Sequence, residues 1–216
     1  MVNKNNPLPS GVDPTRCVED LIRKFVPLEE FGSIRAVDPT SVAEPFQSLL
    51  VHHSHMTVAM ENFHGYPVSL QVVNAIADKV DDENFYTREI VLTSPYCESE
   101  KFSCSQWLHR DLKGSEHVVQ YGIVKIAVDR LPKKLVALIQ AGDTPLGRIL
   151  IEAELHRDVR CVSLFELVPG PHFLEICPGF EQGALSRTYG RFATISISSK
   201  PVIDLFEVVI PSASQP

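Results

Sequence analysis

The sequence lacks the features that mark several large classes of protein. No apolar run approaches the roughly 18 residues that a membrane span requires, and the opening MVNKNNPLPSGVDP lacks the apolar segment of a secretory signal. The five cysteines are scattered, odd in number and include no C-x-x-C pair. We therefore expect neither a disulfide framework nor a thiolate zinc site, and the cysteines suit a reducing cytoplasm.

Dense positive charge is also missing. The chain has 20 Lys and Arg against 27 Asp and Glu, which gives a net charge of −7 without a basic cluster. Because nucleic-acid phosphates demand a basic face, we expect no nucleic-acid partner. A small anionic ligand is compatible with this charge, since a pocket needs only two or three local cations. The glycine-rich nucleotide motifs and the G-x-S-x-G elbow are absent too.

What is present is a chain of 216 residues, of which 44% are apolar, and this suffices for a proper core. We predict a mobile Pro/Asn-rich arm over residues 1–15 and a single domain over 16–216. Stretches of alternating apolar residues follow one another in runs, whereas helical spacing clusters at the beginning and in the middle, where TPLG marks a helix start. This order favours an α+β fold with a largely antiparallel sheet.

Four details refine that outline. The stretch VRCVSLFELVPGPHFLEIC, residues 159–177, is β-rich and predicts strand. The stretch DPTSVAEPFQSLLVHHSH predicts a helix over residues 38–55. Residues 94–116 are rich in polar side chains and predict an exposed loop or an insertion. The turn SSK, followed by Pro201, predicts a hairpin between the last two strands.

The segment VHHSHMTVAMENFHG, residues 51–65, concentrates histidines and a glutamate. His52 and His55 are three residues apart, as are Glu61 and His64, and these side chains are common zinc ligands. Histidines at a helix end also interact favourably with its dipole and terminal carbonyls. Because the helix is predicted to end here and no H-E-x-x-H spacing occurs, we expect no metal site.

Two charges stand on otherwise apolar strands. In YTREIVL, the period of two places Arg88 on the same face as Ile90, and in LFEVVI it places Glu207 beside Leu205 and Val209. A buried charge is costly unless it is paired or serves a ligand. The pattern allows an Arg88–Glu207 salt bridge, an exposed edge strand or a ligand site.

Further candidates lie on neighbouring strand patterns. Ile123 and Lys125 share a face of GIVKIAV, and Gly122 either lets a ligand approach the backbone or marks a bulge. An exposed strand face is the ordinary environment for Lys125. Arg191 begins a strand, where a solvated arginine is the ordinary expectation.

Several of these stretches together resemble a known family. HHSHMTVAMENFHGYPVSL, REIVL, SEHVVQYGIVKIAVDRLP, GDTPLGRILIEAELHRDV and KPVIDLFEVVIP are similar to successive blocks of the chorismate pyruvate-lyases, from about residue 45 to 212. The resemblance implies a six-stranded antiparallel sheet with helices covering a buried ligand. It also implies a carbon–oxygen lyase that converts chorismate to 4-hydroxybenzoate and pyruvate without metal or cofactor.

The resemblance also implies roles for particular residues. Arg88 matches the arginine that holds a ligand carboxylate, which suits a bidentate guanidinium. Glu207 matches the carboxylate that faces the ring 4-oxygen. Met56 matches a ligand-contacting residue in the segment that covers the pocket. Leu146 matches an apolar wall of the pocket, and Gly122 matches a backbone donor.

One departure from the family pattern bears on function. The family's second carboxylate-binding arginine aligns with Ile123, so that Lys125 or Arg191 must compensate or the pocket takes a different ligand. We therefore expect a lyase that eliminates pyruvate from chorismate or a related carboxylated molecule. The alternatives are the same scaffold recruited to another elimination, dehydration or cyclisation, or a small-molecule-binding module without catalysis. The sequence does not define the oligomeric state.

Overall fold

The computed structural model describes residues 13–52, 54–95, 116–155, 157–177 and 186–210. The predicted arm over residues 1–15 and the predicted loop over 94–116 lie almost wholly outside these ranges. Only the edges of both are described, because Asp13 caps the first helix and the strands beside the predicted loop reach Pro95 and Glu116.

The helices of the described residues are short and pack on the faces of a sheet. Their bounds are α1 Pro14–Ile22, α2 Leu28–Phe31, α3 Phe46–Leu50, α4 Met56–His64, α5 Lys133–Ala141, α6 Leu146–Glu152 and α7 Pro171–Ile176. Local sequence explains several ends: the Asp13 side chain accepts from the Thr15 amide to begin α1, and α4 ends at Gly65 in the left-handed conformation. Pro145 precedes α6, which begins at Leu146 without a side-chain cap, so TPLG marks a helix start as predicted.

The strands form one antiparallel sheet. Their bounds are β1 Gly32–Val37, β2 Ser69–Val80, β3 Glu83–Pro95, β4 Glu116–Ala127, β5 Arg157–Pro169, β6 Thr188–Ile197 and β7 Lys200–Val209. The order across the sheet is β1-β5-β6-β7-β4-β3-β2, with every pair antiparallel. The predicted α+β fold is therefore confirmed, although the described sheet has seven strands rather than six.

The predicted hairpin between the last two strands is present. Ser198 and Ser199 separate β6 from β7, with φ of 49° and 65°. Two consecutive positive φ values are typical of the tight hairpin turn whose twist matches that of the flanking strands. The hairpin aligns Arg191 with Glu207 across the two strands.

Two predicted elements differ from the structure. The helix predicted over residues 38–55 is divided: α3 ends at Leu50, and α4 begins only at Met56. The stretch predicted as strand over 159–177 contains α7, which begins after Gly170 with Pro171 in its first turn. His52 and His55 thus lie between α3 and α4 rather than at the end of one helix.

The two faces of the sheet carry different cores. One face packs an aromatic-rich core beneath α1, α2 and α7, whose largest members include Phe31, Tyr121, Phe165, Phe173, Phe192 and Phe206. The opposite face packs aliphatic side chains beneath α3 to α6. We call these the aromatic face and the pocket face. Because side chains alternate along a strand, neighbouring residues such as Arg88 and Glu89 belong to different faces.

Candidate ligand-binding site

A pocket of about 40 Å³ lies on the pocket face, between the central strands and the helices above them. Its floor consists of three rows of paired residues: Arg88, Val124 and Leu205; Ile90, Gly122, Glu207 and Arg191; Leu92, Gln120 and Val209. Residues 54–57 and the beginning of α6 lie over this floor. The space holds roughly three water molecules, at about 10–15 Å³ for each. A ligand that spans the whole floor therefore requires this cover to shift outward.

Arg88 lies at one end of the pocket and is only 1% exposed. One terminal nitrogen donates to the Ile139 carbonyl of α5 at 3.0 Å, whereas Nε is buried without a hydrogen-bond partner among the described residues. None of the described carboxylates forms an ion pair with Arg88. Burial lowers the pKa of the Arg88 guanidinium, but an arginine in a protein keeps its charge. A buried, unpaired cation therefore faces the pocket.

Glu207 lies near the middle of the floor and is bound by two donors. Arg191 Nε donates to its Oε2 at 3.0 Å, and Gln120 Nε2 donates to its Oε1 at 3.3 Å. Burial raises the pKa of Glu207 despite the opposing effect of Arg191 and Gln120. Glu207 is thus a carboxylate held by an internal cation, and it places negative charge inside the pocket.

Arg191 also holds the cover. Its terminal nitrogens donate to the main-chain carbonyls of His52 at 3.0 Å and Ser54 at 3.2 Å. The side chain is 2% exposed, so the solvated position expected from the sequence is wrong. One guanidinium therefore connects the floor, through Glu207, to the segment that closes the pocket.

A second arginine fixes the same segment from the other side. Arg157 Nε donates to His55 Nε2 at 2.7 Å. Burial, together with Arg157 and Arg191, lowers the pKa of His55 to about 4, so this imidazole is neutral at pH 7. A Cβ on Gly147 would lie 2.9 Å from Thr57 Oγ1 and 3.1 Å from His55 Cβ, so α6 approaches the cover as only glycine allows.

The structure brings together five of the predicted site residues. Met56, Arg88, Leu146, Arg191 and Glu207 all line the pocket. Met56 is the first residue of α4 and Leu146 the first residue of α6, so both helices begin above the floor.

Three other predicted residues are placed differently. Gly122 lies in the floor, but it pairs with Ile90 and Glu207 and does not line the space itself. Ile123 packs in the core of the aromatic face, and Lys125 is on that same face, 4.2 Å from the centre of the Phe85 ring. The expectation that Ile123 and Lys125 face the ligand is therefore wrong, because strand alternation turns them to the other side of the sheet.

The salt bridge between Arg88 and Glu207, one of the alternatives that the strand pattern allowed, does not form. Glu207 pairs with Arg191, its neighbour across the β6–β7 hairpin. Arg88 and Glu207 stand two strands apart and in different rows of the floor. This arrangement leaves Arg88 without an ion-pair partner among the described residues.

Sequence reasoning missed Gln120 and Glu89. Gln120 is 2% exposed and lines the pocket, and its polar side chain on an apolar strand was the available signal. Glu89 is fully buried on the aromatic face, where it accepts from Tyr121 Oη at 2.6 Å and Asn74 Nδ2 at 2.7 Å. His172 Nε2 lies 2.7 Å from the same carboxylate.

Metal ligands do not assemble in the described residues, where no three His, Cys, Asp or Glu side chains converge. His52 and His55 serve the cover instead, through the contacts given above. Glu61 pairs with Arg148 of α6. His55 and Glu61 thus connect residues 51–65 to Arg157 and to α6.

Comparison with solved structures gives fold-level matches. The chain is similar to PhnF from Mycobacterium smegmatis, with 10% identity, a TM-score of 0.50 and coverage of 92% of this chain and 94% of that one. The effector domain of the same protein matches at 10% identity and a TM-score of 0.49, covering 72% of this chain and 88% of that one. A possible transcriptional regulator, YydK from Bacillus subtilis subsp. subtilis str. 168, matches at 12% identity and a TM-score of 0.41, with coverage of 71% and 61%.

These findings correct the function expected from the sequence. No protein-family model and no curated protein matches the chain. The solved structures named above are PhnF, its effector domain and a possible transcriptional regulator rather than chorismate lyases. The expected lyase is therefore wrong as the identity of this chain, as are the expected enzymatic activity and its products, although the fold it implied is confirmed.

None of the described helices is both long enough and apolar enough to cross a membrane.

Proposed function

We propose that this chain is a small-molecule-binding module that takes a carboxylate ligand at Arg88 and does not transform it. The observation that carries the proposal is a buried guanidinium, facing a pocket, with Nε unpartnered and no ion pair among the described residues. Burying a charge is costly unless a partner compensates it. A ligand carboxylate supplies that partner, and the planar guanidinium can receive it with two parallel hydrogen bonds.

The remaining pocket groups support binding rather than chemistry. Glu207 is committed to Arg191 and Gln120, and His55 is held by Arg157. Neither side chain accepts a hydrogen bond from a hydroxyl or thiol of the described residues. Apart from its charged and polar groups, the pocket is lined by apolar side chains, among them Ile90, Val124 and Leu146, which suit the body of a small organic acid.

Ligand sensing is the use that we propose for such a module. Entry of a ligand longer than the resting space shifts residues 54–57, and this segment is already tied to the floor by Arg191. Binding is thereby converted into movement of α4, which begins at Met56. The pocket carries this proposal, whereas the likeness to PhnF supports only the fold.

The test is a titration of matched acids and amides. The probes are the unbranched acids from acetate to hexanoate and the corresponding neutral amides. Binding is measured from the NMR chemical-shift changes of the backbone N–H groups around the pocket. We expect the acids to bind the protein and the amides to bind at least tenfold more weakly. In Arg88→Met, acid affinity falls by about 100-fold, roughly 2.7 kcal/mol.

Lys125→Met is the matched control, because it removes a cation from the neighbouring strand β4, on the aromatic face of the sheet. Acid affinity is expected to be unchanged in this variant. Equal binding of acids and amides, or equal acid affinity in Arg88→Met and the unmodified protein, would contradict the proposal.

A further inference from the structure

Gln120 presents an unused hydrogen-bond acceptor to the pocket. The residue is 2% exposed, and its Oε1 is buried without a partner among the described residues. Its Nε2 donates to Glu207 Oε1 at 3.3 Å. Buried side-chain amides are normally bonded at both ends, so a lone acceptor end inside a pocket points to something that is bound there.

The orientation of this amide follows from its neighbour. A carboxylate only accepts hydrogen bonds, so the donor end of Gln120 is directed to Glu207, and the acceptor end of this pocket-lining residue is directed away from Glu207. Arg191 strengthens this arrangement because it holds the other oxygen of Glu207. The pair of Arg191 and Glu207 thereby positions Gln120.

The unpartnered groups lie at opposite ends of the floor. Arg88 pairs with Val124, and Leu92 pairs with Gln120, so the two polar residues stand four residues apart along the strands. At about 3.4 Å per residue, their backbones are separated by roughly 13 Å along the strand direction. Ile90 and Gly122 lie between them on the same two strands, and the Glu207 carboxylate held by Arg191 stands in this middle row.

We propose that Gln120 is a specificity-determining residue, which selects ligands that carry an O–H or N–H donor at the end remote from their carboxylate. This inference rests on the proposed function, because Arg88 must hold the carboxylate for the donor to reach Gln120. An acid that ends in a methyl group leaves Oε1 unpaired and is rejected relative to one that ends in a donor.

The experiment compares pairs of acids of increasing chain length. Each unbranched ω-hydroxy acid, from 3-hydroxypropanoate to 6-hydroxyhexanoate, is compared with the alkanoate that has a methyl group in place of the hydroxyl. Dissociation constants come from the same NMR titration, for the unmodified protein and for Gln120→Met, which has nearly the same volume. Arg88→Met shows whether the carboxylate is held as proposed.

The expected result is a preference of about tenfold for the hydroxy acid at one or two chain lengths, lost in Gln120→Met while dependence on Arg88 persists. Two results overturn the inference and leave the proposed function standing: acids bind with no hydroxyl preference at any length, or the preference persists in Gln120→Met. If no acid binds the unmodified protein, the proposed function itself fails. The comparison of hydroxy acids with alkanoates on the unmodified protein shows whether the hydroxyl preference exists, even if Gln120→Met does not fold.

Discussion

Arg88 and Glu89 are consecutive residues of one strand, both buried and of opposite charge, yet they differ in how their charge is compensated. Glu89, on the aromatic face, has Tyr121, Asn74 and His172 within hydrogen-bond distance. Arg88, on the pocket face, has one main-chain carbonyl and an unpartnered Nε. A buried charge with complete partners belongs to the fold, whereas one with incomplete partners is available to a ligand.

Surroundings explain the difference between the two sites. Glu89 lies in a dense aromatic core, where Phe31 and Tyr121 are 5.6 Å apart and Phe31 and Phe173 5.7 Å apart between ring centres. Tyr121 has its pKa raised by burial and by Glu89, so its hydroxyl remains a donor. Arg88 lies beside open space under a cover that other residues hold in place. The first site is closed by the protein, whereas we propose that a ligand completes the second.

The largest expected effect is on the closed site. Glu89→Ala leaves Tyr121, Asn74 and His172 without their common acceptor and creates a cavity, so we expect a loss of about 3–5 kcal/mol in the free energy of unfolding. Urea denaturation measures it.

The control for that prediction is Glu166→Ala. Glu166 bonds Arg35 and Arg187, which are both well exposed, and this pair of ionic contacts is expected to contribute within about 1 kcal/mol. If the two variants lose similar stability, Glu89 does not hold the aromatic face together.

A somewhat smaller and pH-dependent effect is expected at the floor of the pocket. Arg191→Met leaves the Glu207 carboxylate buried without its cation, which costs about 3 kcal/mol at pH 7. Because burial already raises the pKa of Glu207 and Arg191 opposes that rise, the variant raises it further. The folded variant therefore takes up a proton at higher pH than the unfolded chain does, and it regains stability as pH falls through that raised pKa.

Urea denaturation at pH 7 and pH 5 tests this sign. The deficit of Arg191→Met relative to the unmodified protein is expected to shrink at pH 5. In the double variant Arg191→Met, Glu207→Gln, most of that pH dependence is expected to disappear. A deficit that grows on acidification would show that Glu207 is not the group responsible.

The smallest expected change in stability is at Arg88. Removing a buried cation that has no counter-ion relieves a desolvation cost, so Arg88→Met is expected to be as stable as the unmodified protein or up to about 2 kcal/mol more stable. Lys125→Met serves for comparison, since its contact with the Phe85 ring contributes about 0.5–1 kcal/mol. A loss of several kcal/mol in Arg88→Met would make Arg88 a structural residue like Glu89.

The sequence predicted the fold class because strand alternation and helical spacing are local properties. It missed β1, whose residues are largely exposed at the edge of the sheet and give no clear apolar alternation. It also missed α7, since PHFLEI has too few residues to establish a helical period and continues an apolar strand. In the predicted helix over 38–55, the interruption after Leu50 depends on tertiary contacts, among them those from Arg191 to the His52 and Ser54 carbonyls.

The candidate site was predicted only in part, for a geometrical reason. Arg88 and Glu207 stood out because each is a charge on an apolar strand face. Ile123 was misplaced because an error of one residue along a strand moves a side chain to the other face. The pairing of Arg191 with Glu207 depends on the register of the β6–β7 hairpin. Because Glu207 is bound by Arg191, Arg88 has no ion-pair partner among the described residues.

The most direct test of the account is the stabilisation that a bound acid gives to the unmodified protein and to Arg88→Met. A ligand that binds only the folded state raises the free energy of unfolding with its concentration. We predict that the best-binding probe acid, at free concentration c, stabilises the unmodified protein by RT ln(1 + c/Kd) and leaves Arg88→Met unchanged, while that variant is fully stable without acid. Equal stabilisation of both proteins, or an Arg88→Met variant already several kcal/mol less stable without acid, would contradict the central claim that Arg88 is kept for a ligand.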